Sequence, residues 1–306
     1  MPLAVVTGAY SYTGHAVARS LIARGWRVRT LTNRTSPLQT LDVDLERAPL
    51  QFDDPDALVT ACRGADLFVN TYWIRYPRGG VGFDEAVANS AVLLASAVTA
   101  GVSRVVHVSV SNPSRDSALD YYRGKAQVEA VVRGLGVSHA VVRPTLVVGS
   151  HDILVNNIAW FLRRFPLFAM PGRGAYRVQP VTLDDVGEIV ADAAAAKEDV
   201  TWDAAGPETV TFDALVRGVA AAIGRTRPIA HVPPRLAAAL VRVVGVGLRE
   251  VVLSKQELAG LMEERLVSSE PPRGRSSVMA WIAAHGEELG RRYASEVTRH
   301  FRRRRP

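Results

Sequence analysis

Two residues of complementary acid–base character stand four apart in the segment Tyr121-Tyr122-Arg123-Gly124-Lys125. On a helix, positions i and i+4 share a face, so this spacing sets a phenol and an ammonium side by side. A nearby ammonium favours phenolate and draws a tyrosine toward a useful acid/base range. The lysine also stands out from its background, because only three of the 37 Lys and Arg are lysine: Lys125, Lys197 and Lys255. In so arginine-rich a chain, a lysine here fits a need for a compact ammonium rather than a planar fork. Ser109 and Ser111 end the apolar run before the helix, and residues two apart in an extended chain face the same side. Either hydroxyl suits a hydrogen bond to a substrate oxygen that Tyr121 protonates or deprotonates, with Ser111 lying further out.

A second pattern runs Val5-Val6-Thr7-Gly8-Ala9-Tyr10-Ser11-Tyr12-Thr13-Gly14, after an apolar run and ahead of a helical one. That is the setting of a dinucleotide-binding turn. Gly8 permits the tight turn, Gly14 close packing of helix on strand, and free N–H groups at the helix start face a pyrophosphate. The candidate cofactor residues here are Thr7, Gly8, Tyr10, Ser11, Tyr12, Thr13 and Gly14. Ser11 stands where a Thr-Gly-x-x-Gly-x-x-Gly pattern has its middle glycine; it narrows the approach but offers a hydroxyl to phosphate. The next apolar run ends Thr30-Leu31-Thr32-Asn33-Arg34. It has no acid for a ribose 2′-OH, and Arg34 beside Asn33 suits a 2′-phosphate, which favours NADP(H) while leaving NAD(H) open. Asp53 is placed to meet an adenine amino group, and Asn70, Thr71 and Tyr72 to lie along the ribose and nicotinamide. Substrate contacts are expected from Trp73, Arg75, His151, Asn156 and Trp160, and their aromatic content suggests an apolar or ring-shaped small molecule. His107, inside an apolar run, reads as a satisfied core residue.

These residues need a scaffold that gathers strand ends. Strands are expected at Leu3–Thr7, Trp26–Leu31, Pro49–Phe52, Asp66–Asn70, Arg104–Ser109 and Ser138–Arg143. Helices are expected at Thr13–Arg24, after Asp54-Pro55, at Phe83–Ala100 and at Tyr121–Arg133. The strands are continuous apolar runs, as required when helices cover both faces of a parallel sheet. The alternation implies an α/β, doubly wound parallel sheet of Rossmann type, whose ligands bind beyond the carboxyl ends of the strands. The second half reads as mostly helical, with helices at Ile153–Phe165, Leu183–Ala196, Phe212–Ile223, Arg235–Leu248 and Lys255–Leu266. Strands are expected there at Tyr176–Val181, Thr201–Ala205 and Pro228–Val232. The expected organisation is a cofactor-binding core over 1–150, a substrate-binding part over 151–267 interleaved with it, and a linker, last helix and basic tail over 268–306.

At 306 residues and 48% hydrophobic, the chain holds one large domain or a domain with an appendage. Its net charge of +7 is concentrated at one end, for residues 291–306 carry seven arginines against one glutamate. The rest is nearly neutral and lacks the basic stripe a nucleic-acid surface needs. A single cysteine, Cys62, excludes a disulfide framework and a Cys-based metal site. The absence of a leader-like start and of an 18-residue uncharged apolar run points to a cytoplasmic protein without an integral membrane span. Arg235, Arg242 and Arg249 recur every seven residues, as a solvated helix face or a membrane-surface contact.

Together the Thr7–Gly14 turn, Phe52-Asp53-Asp54-Pro55, His107-Val108-Ser109-Val110-Ser111, Tyr121 with Lys125, and Arg143-Pro144-Thr145 resemble the extended and atypical short-chain dehydrogenase/reductase superfamily. Asn156-Asn157-Ile158-Ala159-Trp160, Val178-Gln179-Pro180-Val181 with Asp184-Asp185-Val186, and Gly206-Pro207-Glu208 are similar to its complex I accessory-subunit-like (NmrA-like) branch. The resemblance covers most of residues 1–235. It implies that Tyr121 is the acid/base, that Lys125 lowers its pKa and holds the nicotinamide ribose, and that a serine polarises the substrate. It further implies that Asn89 supports the active-site strand and that Pro144 and Thr145 contact the nicotinamide end. The implied activity is NAD(P)-dependent hydride transfer to or from a carbonyl or carbinol carbon. An NAD-dependent epimerase or dehydratase acting on a sugar-like substrate, and a non-catalytic NAD(P)-binding regulator or scaffold, are the alternatives. A homodimer is an open expectation.

Overall fold

The computed structural model of the chain describes residues 1–38, 45–248 and 252–295. In chain order the elements are β1 (Leu3–Thr7), α1 (Tyr12–Ala23), β2 (Arg27–Leu31), β3 (Glu46–Ala48), α2 (Pro55–Cys62), β4 (Leu67–Asn70), α3 (Phe83–Thr99), β5 (Arg104–Val108), α4 (Asp120–Arg133), β6 (Ser138–Pro144), β7 (Leu146–Val148), α5 (Leu154–Arg164), β8 (Phe168–Pro171), β9 (Arg177–Val178), β10 (Pro180–Thr182), α6 (Leu183–Ala195), β11 (Val200–Ala204), β12 (Val210–Thr211), α7 (Phe212–Ala222), β13 (Ile229–Val232), α8 (Pro234–Leu248), α9 (Lys255–Met262) and α10 (Val278–His285).

Seven strands form one sheet in the order β11-β6-β5-β4-β1-β2-β3, and every pairing is parallel. β1 and β4 are buried along their whole length, so helices must cover both faces. On one face Val5, Phe68, Val105 and Val141 pack with Leu58 of α2, Leu93 and Leu94 of α3, and Val128 of α4. On the other, α1 meets α6 so closely that a Cβ at Gly187 would lie 2.7 Å from the Ala16 carbonyl oxygen. This is the doubly wound α/β architecture the strand–helix alternation implies.

The chain divides into two compact units, each discontinuous in sequence. The first contains Met1–Thr145, Leu183–Ala205 and Ser268–Gly274; the second contains Leu146–Thr182, Gly206–Val267 and Arg275–Pro306. This differs from the expected division at 150 and 267. Residues 183–205 return to the first unit because β11 completes the sheet alongside β6, from Val200↔Ala140 to Ala204↔Pro144. Residues 268–274 return because an open sheet edge needs cover. Asp203 N donates to Glu270 at 3.2 Å, Ser268 Oγ to Asp203 at 2.6 Å, and Gly274 N to the Ala205 carbonyl at 2.8 Å. In the second unit, α5, α7 and α10 surround an apolar cluster that includes Val155, Leu162, Leu215, Val219 and Ile282. Three two-stranded ladders, β7–β10, β8–β13 and β9–β12, accompany these helices.

Some element boundaries depart from the sequence expectation. The third strand is the polar Glu46–Ala48, not Pro49–Phe52. Pro49 has no N–H for a ladder, and Leu50 is held instead by the Asn33 side chain, which donates to its carbonyl at 2.7 Å and accepts from its N–H at 2.9 Å. The strand expected over Tyr176–Val181 is two strands with different partners, because Gln179 between them donates its N–H to the Leu266 carbonyl. α9 stops at Met262, short of Leu266, where Glu264 takes positive φ. Short strands β7, β8 and β12 carry no clear sequence signal. Among the described residues no helix is long and apolar enough to cross a membrane. Arg249 of the arginine stripe and residues 296–306 of the basic tail lie outside the described residues.

Candidate functional site

The turn after β1 is built by two glycines for different reasons. Gly8 takes φ +67°, a region that costs other residues energy. At Gly14 a Cβ would lie 2.2 Å from the Gly8 carbonyl oxygen, so only glycine lets α1 pack this close. Gly8 N donates to the Leu31 carbonyl at 2.9 Å and Ala9 N to Thr30 Oγ1 at 3.0 Å, tying the turn to β2. Ser11 Oγ donates to the Gly8 carbonyl at 2.5 Å, so its proton closes the turn. The first turn of α1 has no acidic residue, which leaves its partial positive charge available to an anion. Tyr10, Tyr12 and Thr13 are half-buried around this helix start.

The neighbouring strand ends are bolted together. Thr7 Oγ1 accepts from Thr71 N at 2.7 Å and Tyr72 N at 3.1 Å, and Thr71 Oγ1 donates to the Thr7 carbonyl at 2.5 Å. Asn70 Oδ1 accepts from Tyr72 N at 3.0 Å. Thr7, Asn70 and Thr71 thus fix the path of the backbone a ligand would meet. Tyr72 packs on Phe52 with ring centroids 4.7 Å apart, and Asn89 donates to its hydroxyl at 3.1 Å. Burial raises the Tyr72 pKa, partly offset by the Asn89 hydrogen bond. The Asn33 amide bonds both backbone groups of Leu50; Arg34 is half-buried three residues beyond β2, and Asp53 is exposed ahead of α2.

Tyr121 and Lys125 occupy the first turns of α4, and one indole touches both. The Trp73 ring meets Tyr121 edge-on with centroids 6.1 Å apart and lies 4.7 Å from the Lys125 ammonium. Phe83 completes the cluster, 6.1 Å from Trp73 and 5.9 Å from Tyr121. Lys125 is 3% exposed and donates to the Val108 carbonyl at 2.8 Å, at the carboxyl end of β5. Burial lowers its pKa from 10.5 to about 7, with Glu129 acting in the opposite direction. His107 is fully buried, with Nδ1 3.3 Å from Asn70 Nδ2 and Nε2 without a hydrogen-bond partner. Burial and the Lys125 charge hold its pKa well below the ordinary value, which keeps it neutral. Ser109 and Ser111 are buried, their N–H groups donating to Val142 and Pro144 of β6 at 2.7 and 2.9 Å. The Ser109 hydroxyl approaches Glu129 without a hydrogen bond of normal geometry.

Sequence reasoning passed over Glu129, and named Arg143 only as part of the Arg143-Pro144-Thr145 motif. Glu129 is 1% exposed and accepts from Arg143 at 2.9 and 2.6 Å and from Arg133 at 2.9 Å. Burial would raise its pKa, but the Arg143 and Arg133 contacts outweigh it and hold it below the usual carboxylate value. The available signal was the spacing itself, since Glu129 follows Lys125 by four on the same helix.

Pro144 is buried in β6, and Thr145 donates to the Ala204 carbonyl from its N–H at 3.1 Å and its hydroxyl at 3.3 Å. Trp73 and Arg75 belong to the first unit; His151, Asn156 and Trp160 belong to the second. His151 is half-buried in the turn before α5. The Asn156 amide donates to the Ser150 and Asp152 carbonyls at 3.1 Å each and accepts from Gly290 N at 3.4 Å. Trp160 packs on Phe161, Phe165 and Tyr293. These contacts anchor Asn156 and Trp160 within the second unit.

A parallel doubly wound sheet, a glycine turn opening α1, and a Tyr-x-x-x-Lys helix beyond β5 define a protein of the extended short-chain dehydrogenase/reductase superfamily. Within it, the chain belongs to the NmrA-like family, whose profile matches residues 3–274. It is 25% identical over 226 residues to NADH dehydrogenase [ubiquinone] 1 alpha subcomplex subunit 9, mitochondrial, of Arabidopsis thaliana, covering 70% of this chain and 56% of that protein. It is 26% identical over 182 residues to the ceramide reductase of Caulobacter vibrioides, covering 59% and 57%. The chain thus spans under two thirds of the length of these relatives. An NADPH-dependent quinone oxidoreductase of Escherichia coli, solved with NADPH, shares the fold with TM-score 0.73 at 17% identity, over 92% of this chain and 99% of that one.

Proposed function

We propose that the chain is an NAD(P)-dependent oxidoreductase in which Tyr121 exchanges a proton with a substrate oxygen. The observation that carries this reading is Lys125, a buried ammonium held at the end of β5 on the helix that bears Tyr121. An ammonium there stabilises a phenolate and makes Tyr121 competent to donate or accept a proton near neutral pH. Ser111, with Ser109 behind it, would orient the substrate oxygen.

The residues present fit a nicotinamide dinucleotide. The positive φ at Gly8 and the absence of room for a Cβ at Gly14 make a close backbone cradle at an uncompensated helix start. The holding residues in this reading are Thr7, Gly8, Tyr10–Gly14, Asn33, Arg34, Asp53, Asn70–Tyr72, Lys125, Pro144 and Thr145. Arg34, with no acid across residues 30–34, favours NADP(H) over NAD(H). When bound, the cofactor supplies or accepts the hydride. Trp73, Phe83 and Tyr121 make the nearest wall apolar and aromatic, which supports a carbonyl or quinone on a flat, apolar body. Relatives and neighbours named as reductases and a quinone oxidoreductase agree with this class.

The test begins with mass-spectrometric identification of whatever co-purifies, followed by NADPH oxidation against quinones and aromatic ketones. Tyr121→Phe should lower kcat by about 10²–10⁴-fold while NADPH still binds. Full activity of Tyr121→Phe on an identified substrate overturns the reading. Tightly retained NAD(H) without net turnover would point instead to an epimerase or dehydratase, and an unchanged cellular function in Tyr121→Phe to a cofactor-binding scaffold.

A further inference from the structure

Single exposed apolar side chains are ordinary on a protein, whereas several together beside unpaired like charges call for a partner. Among the described residues the large apolar side chains left exposed are Met1, Leu167, Leu236 and Leu240, and the last three belong to one part of the second unit. Leu167 leads into β8, which pairs with β13. There the Phe168 N–H donates to the Pro228 carbonyl at 3.0 Å, which sets Leu167 beside Pro228. α8 starts two residues after β13 and packs on β8. Its Ala237 is buried, while Leu236 and Leu240, four apart on the outer face, are 48% and 44% exposed. Arg235 and Arg242 are exposed and seven apart, a stripe that runs alongside the leucines with exposed Ala239 between the two.

The charge in this part is of one sign. Residues 153–172 and 225–249 hold seven arginines and no Asp or Glu. At the end of α5, Arg163 donates to the Gly286 and Leu289 carbonyls at 2.8 Å each, and Arg164 to the Gly290 and Arg291 carbonyls at 3.3 and 3.2 Å. Arg227 donates to the Leu162 carbonyl at 3.2 Å. Carbonyls hold these guanidiniums in place without neutralising them. Among the described residues, none of Arg163, Arg164, Arg225, Arg227, Arg235 and Arg242 forms an ion pair with a carboxylate. In the segment that α5 binds, Glu287 and Glu288 are matched by Arg291 and Arg292, and residues 296–306 add five arginines against one glutamate.

We propose that this face, Leu167 and the outer side of α8 with the arginines around them, docks on the surface of an anionic lipid bilayer. The arginines meet headgroup phosphates, the leucines enter the boundary of the acyl layer, and α8 lies along the surface. Charge complementarity selects this occupant. A second copy of the chain would bring the same arginines, like charge against like. A nucleic acid would engage the arginines and leave the leucines in water. An anionic bilayer supplies phosphate charge and an apolar layer together. With 15 residues, α8 is too short to cross that layer and suited to lie on it.

The candidate acid–base pair belongs to the first unit, so docking is read without turnover. The full-length protein is floated with vesicles of phosphatidylcholine alone and of phosphatidylcholine with phosphatidylglycerol. It should float with the anionic vesicles only, and added salt should weaken the binding. Leu236→Ser with Leu240→Ser should lower the partition coefficient about tenfold or more. Arg235→Gln with Arg242→Gln should lower it about fivefold per arginine. All four positions are exposed, so the urea midpoints should match the parent's. With Arg302→Gln, Arg303→Gln, Arg304→Gln and Arg305→Gln together, the effect of the leucine pair should persist. A parent that does not float, or a leucine pair that floats as the parent does, overturns the proposal. Loss of flotation in the tail variant with both α8 pairs unaffected assigns the binding to the tail and overturns it as well. Binding of duplex DNA without flotation makes the face a polyanion site. Self-association that the leucine pair abolishes, again without flotation, makes it an interface between copies; either result sinks the bilayer reading.

Discussion

Trp73 occupies the space that any side chain at residue 124 would need: a Cβ on Gly124 would lie 2.9 Å from Cη2 and 3.1 Å from Cζ2 of the indole. The glycine in Tyr121-Tyr122-Arg123-Gly124-Lys125 is thus a packing requirement of the residue that also faces the Lys125 ammonium. A glycine inside a helix costs about 1 kcal/mol relative to alanine, and here that cost admits the indole.

Gly124→Ala should therefore fail to stabilise α4 despite its better helix propensity. Overpacking of a filled site costs about 1–3 kcal/mol, enough to exceed the propensity gain. Trp73→Leu in the same chain should recover the loss, and urea midpoints of the four members of this double-mutant cycle measure the coupling. Additive effects would show that Trp73 and Gly124 do not share the space.

Lys125 makes stability depend on pH in a definite direction. Its pKa is about 7 in the fold against an ordinary 10.5, so between those values the unfolded chain binds the extra proton. Stability from this residue therefore rises as pH increases from about 7 to 10.5 and is lowest below pH 7. Replacing it by methionine removes that dependence. Lys125→Met should gain most over the parent at pH 6 to 7, and the difference should narrow toward pH 10. Denaturant midpoints at three pH values in this window measure it; a difference that does not change with pH would place the lysine's pKa near its ordinary value.

Cys62 is 1% exposed on α2, and burial pushes its thiol up to about 12. At pH 8 its thiolate is roughly a thousandfold scarcer than that of a cysteine with pKa 9, before shielding is counted. The native protein should resist iodoacetamide for hours, and the same sample in denaturant should be alkylated stoichiometrically. Rapid native labelling would mean that α2 opens locally.

How far the sequence speaks depends on where each residue finds its partners. The fourth, fifth and sixth strands were legible because buried parallel strands are apolar throughout, and the i, i+4 spacing of Tyr121 and Lys125 is local to one helix. β3 was not legible, since an edge strand whose Glu46 pairs with Arg29 at 2.9 Å looks polar, while the apolar residues beside it include Pro49. The bond from Gly290 N–H to the Asn156 amide oxygen, across 134 residues of chain, was not legible either. No spacing rule carries such a contact. The return of Ser268–Gly274 to the β11 edge is hidden for the same reason, as Glu270-Pro271-Pro272 has the composition of a linker.

Arg34 tests the cofactor reading at one residue. It follows β2 by three residues in a stretch without acids, and its backbone is fixed by Arg34 N donating to Thr32 Oγ1 at 3.2 Å and its carbonyl accepting from Arg47 at 3.1 Å. Removing the side chain should therefore leave the loop in place. Hydrogen bonds between a guanidinium and a phosphate contribute about 1.5–3 kcal/mol, so Arg34→Ala should weaken NADPH binding about 10- to 100-fold. NADH, which lacks the 2′-phosphate, should bind the variant and the parent alike. Fluorescence titration of both nucleotides against both proteins distinguishes the cases. Equal losses for NADPH and NADH would make Arg34 a general support of the loop, and unchanged NADPH binding would take the 2′-phosphate away from it.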